Sequence, residues 1–207
     1  KGQLAYPLTA HAAAFSPDGA LFALGTDKDL QVWEIAGWTK RYALDMRFKY
    51  PDTIAFSPDS TRIAAGSFDG DLALWDARAD KGTRVSKGHQ DAVRAVAFSH
   101  DGRRLATAGF DRTVRLWETP PLRPLHTYRG HDKALFTVAF SPDGLRLATG
   151  SFDGRTKLWD LSAEVEFAPV ERMVFHAERG LLAGSMGTQA GIWDSHSGHR
   201  LQTIEGL

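Results

Sequence analysis

Residues 130–160 read GHDKALFTVAFSPDGLRLATGSFDGRTKLWD, and imperfect copies of this stretch run along the whole chain. Aligned on the tryptophan near its end, the copies fall at Trp33, Trp75, Trp117, Trp159 and Trp193. The first three intervals are 42 residues and the last is 34. An acid follows each tryptophan: Glu34, Asp76, Glu118, Asp160 and Asp194. The aromatics Phe15, Phe56, Phe98, Phe140 and Phe175 keep the same register, each 18 or 19 residues ahead of its Trp. A fixed period in this range marks a repeat architecture in which each copy is one supersecondary unit.

Within the stretch, strand-length runs alternate with turn residues. Residues 135–141 are apolar and β-favouring, and residues 147–151 and 156–159 form the next two runs. Between the first two lies Pro142-Asp143-Gly144. Its Pro fixes φ and its Gly accepts a positive φ, which is a turn with a mechanism. Residues 125–128 of the preceding copy supply a fourth run. Short strands at this spacing predict an all-β fold, and no stretch keeps a helical period.

The motifs together resemble the WD-repeat (WD40) family. The resemblance rests on Gly88-His89 and Gly130-His131, on FSPDG at 15–19 and 140–144, on SFDG at 67–70 and 151–154, and on the five Trp-acid pairs. It spans essentially the whole chain, read as one domain over residues 1–207. It implies a β-propeller of four-stranded antiparallel blades around a central channel, with five blades visible. The fifth is degenerate, its missing residues falling mainly between Asp160 and Phe175. In the family's phase, residues 3–6 are the outermost strand of a preceding blade, and the sequence stops at residues 206–207, where the next Gly-His would begin. The expectation is a part of a larger propeller of about seven blades, completed by other sequence or another chain; the alternative is a compact five-bladed ring, with the shortened fifth repeat as a closure adaptation.

The resemblance also implies a buried network of His, Ser or Thr, Asp and Trp in each blade. One repeat carries the full set: His131, Ser151, Asp153 and Trp159. The third repeat has His89, Asp111 and Trp117, with Gly109 at the Ser position. The second has Ser67, Asp69 and Trp75, with Arg47 where the His would stand. The donor and acceptor inventory of these side chains suits such a network. A His/Ser/Asp combination could be mistaken for a hydrolase triad. These residues recur with the repeat, however, as scaffold residues do and a single active site does not.

Composition excludes several functions. Lys plus Arg and Asp plus Glu both number 25, so no global charge draws the chain to nucleic acid or an anionic membrane. No apolar run approaches a membrane span, and no signal-peptide pattern opens the sequence. Cysteine is absent, so neither a disulfide framework nor a thiolate metal site is expected. That favours an intracellular, cytoplasmic setting. Asp18, Asp59, Asp101 and Asp143 occupy one recurrent turn and read as turn formers. His196 and His199 share a terminal loop without further ligands. No phosphate-binding loop appears. No catalytic residue, metal site or cofactor is therefore expected. Charge is uneven, with twelve Lys or Arg against six acids between Arg78 and Lys133.

The residues that point to function lie beside the network. Phe68, Phe110 and Phe152 precede the network Asp in three consecutive repeats, with Thr26 and Met186 in the other two. In the family this turn lies on the channel's top rim. A second set stands four residues before each landmark Phe: His11, Asp52, Arg94, Phe136 and Glu171. Its chemical variety suits recognition better than packing. The sequence therefore predicts a non-catalytic platform that binds a protein or peptide through Phe68, Phe110, Phe152, Met186, Arg94, Phe136 and Asp52. Its rivals are a sensor or docking domain of a larger protein, and a nucleic-acid binder acting through the basic third repeat.

Overall fold

A computed structural model describes residues 9–44, 50–79, 82–85, 88–161, 163–167, 172–176, 181–186, 189–194 and 200–205. Every regular element among them is a β-strand. The first blade comprises β1 (Ala10–Phe15), β2 (Leu21–Thr26), β3 (Leu30–Glu34) and β4 (Thr39–Leu44). The second comprises β5 (Pro51–Phe56), β6 (Arg62–Ser67), β7 (Leu72–Asp76) and β8 (Gly82–Val85). The third runs through β9 (Val93–Phe98), β10 (Arg104–Gly109), β11 (Thr113–Glu118) and β12 (Arg123–Arg129). The fourth runs through β13 (Leu135–Phe140), β14 (Arg146–Ser151), β15 (Thr156–Asp160) and β16 (Ala163–Phe167). The fifth comprises β17 (Arg172–His176), β18 (Leu181–Met186), β19 (Gln189–Asp194) and β20 (Arg200–Glu205). Each blade is a sheet with its strands in sequence order. The predicted strand at residues 3–6 lies outside the described residues, as do Arg47, Glu171, His196 and His199.

The core sits between blades. Leu21, Leu30 and Val32 of the first blade pack on Phe56, Ile63 and Ala73 of the second. Leu72 and Leu74 meet Leu105, Trp117 and Leu122. Val114 and Leu116 meet Leu135, Val138, Leu147 and Trp159. Burying each such side chain is worth about 1.5–3 kcal/mol. Because neighbours cover both faces of the inner strands, β6, β10 and β14 are buried along nearly their whole length.

The turns at one end of the blades match the sequence reading. Asp18, Asp59, Asp101 and Asp143 each accept the hydroxyl of a Ser two residues earlier and a backbone N–H two residues later. Gly19, Gly102 and Gly144 take φ of 70°, 67° and 68°. Ser60 takes the same place in the second blade at φ 58°. Its Oγ accepts the Asp18 N–H at 3.0 Å, so a strained Ser ties two blades together.

Cationic side chains bolt blades at the same end. The Arg62 guanidinium lies 5.9 Å from the centre of the Phe98 ring, and that of Arg104 lies 5.8 Å from Phe140. Arg104 also donates to the Gly144 carbonyl at 2.7 Å. The innermost strands touch in the order β1, β5, β9, β13, β17, and among the described residues β17 makes no comparable contact with β1. The described row of five blades is therefore open. Phe15 on β1 is 61% exposed where Phe56 on β5 is 8% exposed, and Val174 on β17 is 67% exposed.

Candidate interaction rim

Two blades hold the same buried relay. His131 Nδ1 lies 2.8 Å from Asp153 Oδ2, and its Nε2 lies 2.9 Å from Thr149 Oγ1. Trp159 donates its indole N–H to that hydroxyl at 2.9 Å. In the third blade His89 Nδ1 lies 2.9 Å from Asp111 and Nε2 lies 2.7 Å from Thr107 Oγ1, which accepts from Trp117 at 3.0 Å. A carboxylate only accepts, so Nδ1 carries the proton in both relays.

The hydroxyl is therefore Thr149, and the assignment of Ser151 to this position is corrected. Strand register supplies the reason. Trp159 pairs with Leu147, so its long side chain leans onto the diagonal neighbour two residues further along β14. Ser151 lies two residues beyond that, and donates instead to the Lys133 and Ala134 carbonyls at 2.9 and 3.0 Å. Gly109 in turn marks no gap in the third blade. A Cβ there would stand 2.9 Å from Asp111 Oδ1 and closer still to His89 Nδ1, so the glycine makes room for the imidazole. The second blade has Ala65 at the hydroxyl position, opposite Ala73, and cannot build the relay. Ser67 there accepts the Asp71 N–H at 3.1 Å, Asp69 is exposed, and Trp75 is half-buried.

The two acids are held strongly ionised. Burial raises the pKa of Asp111, but hydrogen bonds from His89, Thr113 and the Gln90 N–H outweigh it and hold the carboxyl well below its usual value. Asp153 is lowered in the same way: burial raises it, and the His131, Arg155 N–H and Asp132 N–H bonds prevail. These N–H bonds fix the strand entry and the turn to one another.

At that end of the first four blades the innermost strand carries a β-bulge, whereas the described pairing of β17 with β18 runs in unbroken register. The pairing of β1 with β2 jumps from Ala10 to Ala12, and that of β5 with β6 from Pro51 to Thr53. The register of β9 jumps from Val93 to Ala95, and that of β13 from Leu135 to Thr137. The extra residues are His11, Asp52, Arg94 and Phe136, the set marked out in the sequence for its variety. A bulge re-aims a side chain out of the ladder. The N–H groups of Phe68, Phe110 and Phe152 bond the carbonyls of Tyr50, Ala92 and Ala134 at 3.2, 2.8 and 2.9 Å. Each turn is thus locked two residues ahead of the bulge.

The two sets meet on the rim. Asp52 pairs with Arg94 across two blades. The Arg94 guanidinium lies 5.4 Å from the centre of the Phe110 ring. Phe110 meets Phe152 edge-on at 6.1 Å, and Phe136 meets Phe152 at 5.2 Å. Phe152 remains 59% exposed and Phe68 55%. His11 binds Asp27 in the first blade and meets Tyr50 edge-on at 5.4 Å. Met186 closes β18, and its side chain lies outside the described residues.

A family model described as WD domain, G-beta repeat matches residues 52–76, 81–118 and 122–160. The chain belongs to the WD-repeat family. The matched segments fall on the second, third and fourth blades of this WD-repeat chain, those whose turns carry Phe68, Phe110 and Phe152. The pre-mRNA-splicing factor cwf17 of Schizosaccharomyces pombe is 34% identical over 86 residues, covering 41% of this chain and 25% of that protein. The periodic tryptophan protein 2 homolog of the same organism is 29% identical over 99 residues, covering 44% of this chain and 11% of that protein. The chain therefore matches only a minor part of the length of these curated relatives. The solved structure of U3-55K superimposes with a TM-score of 0.81 at 17% identity, over 98% of this chain and 66% of that one. That likeness is one of fold.

Thr107 and Thr149 escaped the sequence reading. The motif text draws attention to the Ser beside Phe-Asp-Gly, whereas the signal in this WD-repeat chain is the Ala-Thr pair at 106–107 and 148–149. Both of these repeats also open with the Gly-His pair.

Proposed function

We propose that this chain is a non-catalytic protein-interaction platform, and that its partner docks on the rim formed by the second, third and fourth blades. The observation that carries this reading is the continuous run Asp52, Arg94, Phe110, Phe152 and Phe136, built from one bulge per blade and left partly open to solvent. Bulge positions are not constrained by the ladder, and here they hold an acid, a base and an aromatic. A packing position would be expected to repeat one residue type. The polar residues that most resemble catalytic groups are committed to the relay. The name of one relative, a splicing factor, is compatible with a docking domain in a larger assembly.

Affinity purification with quantitative comparison of variants tests this. Phe68→Ala, Phe110→Ala and Phe152→Ala should each weaken partner recovery, by about 1–2 kcal/mol in affinity for a central apolar anchor. Leu145→Ala, at an equally exposed apolar residue in the turns at the opposite end, should leave recovery unchanged. Equal recovery with all four variants would contradict the rim reading.

A further inference from the structure

We infer that the rim over the third and fourth blades takes an acidic peptide segment that carries one large apolar side chain; this rests on the rim being the docking surface. Phe152 lies at the centre of the patch with Phe110 and Phe136 against it. Exposed aromatic surface of this kind favours an apolar anchor. Two exposed cations belong to the segments that carry the patch. Arg112 follows Phe110 in the same turn and is exposed, and Lys133 is exposed at the entry to β13, where its carbonyl holds Ser151. Neither pairs with an acid among the described residues, whereas Arg94 is tied to Asp52 and Arg155 to Asp132. Arg112 and Lys133 thus stand without a carboxylate partner in the turn that carries Phe110 and at the entry to the strand that carries Phe136, and carboxylates on the partner complement them.

An RNA strand would also bring negative charge, but the rim fits it poorly. Phe110 and Phe152 meet edge-on rather than as parallel platforms for successive bases.

The test pans a random peptide library displayed on phage against the whole 207-residue chain at low salt. The selected pool should be enriched in Asp and Glu flanking Trp, Phe or Leu. A selected peptide should lose about tenfold in affinity on Phe152→Ala and about threefold on Arg112→Glu. Its binding should weaken further as salt rises, because exposed charges are screened. Arg112 is exposed, so its variant keeps the fold, which thermal melting verifies. A neutral or basic pool that still depends on Phe152 overturns the charge inference and leaves the rim reading standing. A pool indifferent to both substitutions, or no enrichment, overturns both. Tighter, Arg112-dependent binding of a labelled random-sequence single-stranded RNA would assign the rim to nucleic acid and overturn the proposal.

Discussion

Trp159 donates its indole N–H to Thr149 Oγ1 at 2.9 Å, and the same hydroxyl faces His131 Nε2. One oxygen therefore satisfies two buried rings. Thr149→Val keeps the shape and removes the oxygen, leaving both nitrogens without that partner. Unfolding by urea should show a loss of about 1–3 kcal/mol. Ser151→Ala should cost about 1 kcal/mol or less, because the Ala134 carbonyl keeps the Phe152 N–H as a donor and no second ring nitrogen depends on the Ser151 hydroxyl. A larger loss at Ser151 than at Thr149 would return the relay to the serine.

Gly109 supplies a sharper check, because the repeat pattern suggests the opposite of what packing requires. Gly109→Ser brings the third repeat closer to its neighbours in sequence. Its Cβ would nevertheless press on His89 and Asp111. A destabilisation of about 1–3 kcal/mol is expected from the overpacking. A stabilised variant in the same urea titration would mean that the imidazole has room to move.

Arg104 couples two blades through the Phe140 ring and the Gly144 carbonyl. Arg104→Ala removes a hydrogen bond and a cation–π contact at once, together worth about 1–2 kcal/mol. Hydrogen exchange should accelerate at the interface of the third and fourth blades and stay unchanged in the first. Uniform acceleration would show that the arginine acts on global stability alone.

Acid should loosen the same blades. Asp111 and Asp153 are held below the ordinary aspartate value of 3.8 in the folded chain, against burial, by the relay and backbone bonds. A depressed carboxyl stabilises the fold fully above that value. As pH falls below it, the unfolded chain takes up protons that the folded chain refuses, and stability declines. Urea midpoints should therefore be flat from pH 7 to about pH 5 for these groups and drop towards pH 3. Asp111→Asn with Asp153→Asn should make that drop shallower, the turn aspartates retaining part of it. An unchanged slope would remove the two acids from the account of acid sensitivity.

Much of the fold was legible because it repeats. The tryptophan period, the Pro-Asp-Gly turns and the apolar runs each specify a local geometry that copies itself, and the described strands follow them. The site was legible only in outline. The positions of Asp52, Arg94 and Phe136 stood out by their variety, but a bulge leaves no mark in composition, so nothing in the sequence showed why those side chains leave the ladder. Thr149 was hidden for a different reason. Its role depends on a diagonal contact between strands, and the motif places the more conspicuous Ser151 two residues away on the same face.

The relay and the rim lie side by side, Asp153 following Phe152 directly. On the proposed division of labour, the relay carries stability and the rim carries binding. Measuring both properties in Phe152→Ala and Thr149→Val, with a peptide selected on the native chain, separates them. The expected result is that Phe152→Ala loses about tenfold in affinity with an almost unchanged urea midpoint, while Thr149→Val loses stability and binds normally per folded molecule. If Phe152→Ala unfolds the chain and the surviving folded molecules bind the peptide as tightly as before, Phe152 is a core residue and the rim is not the docking surface.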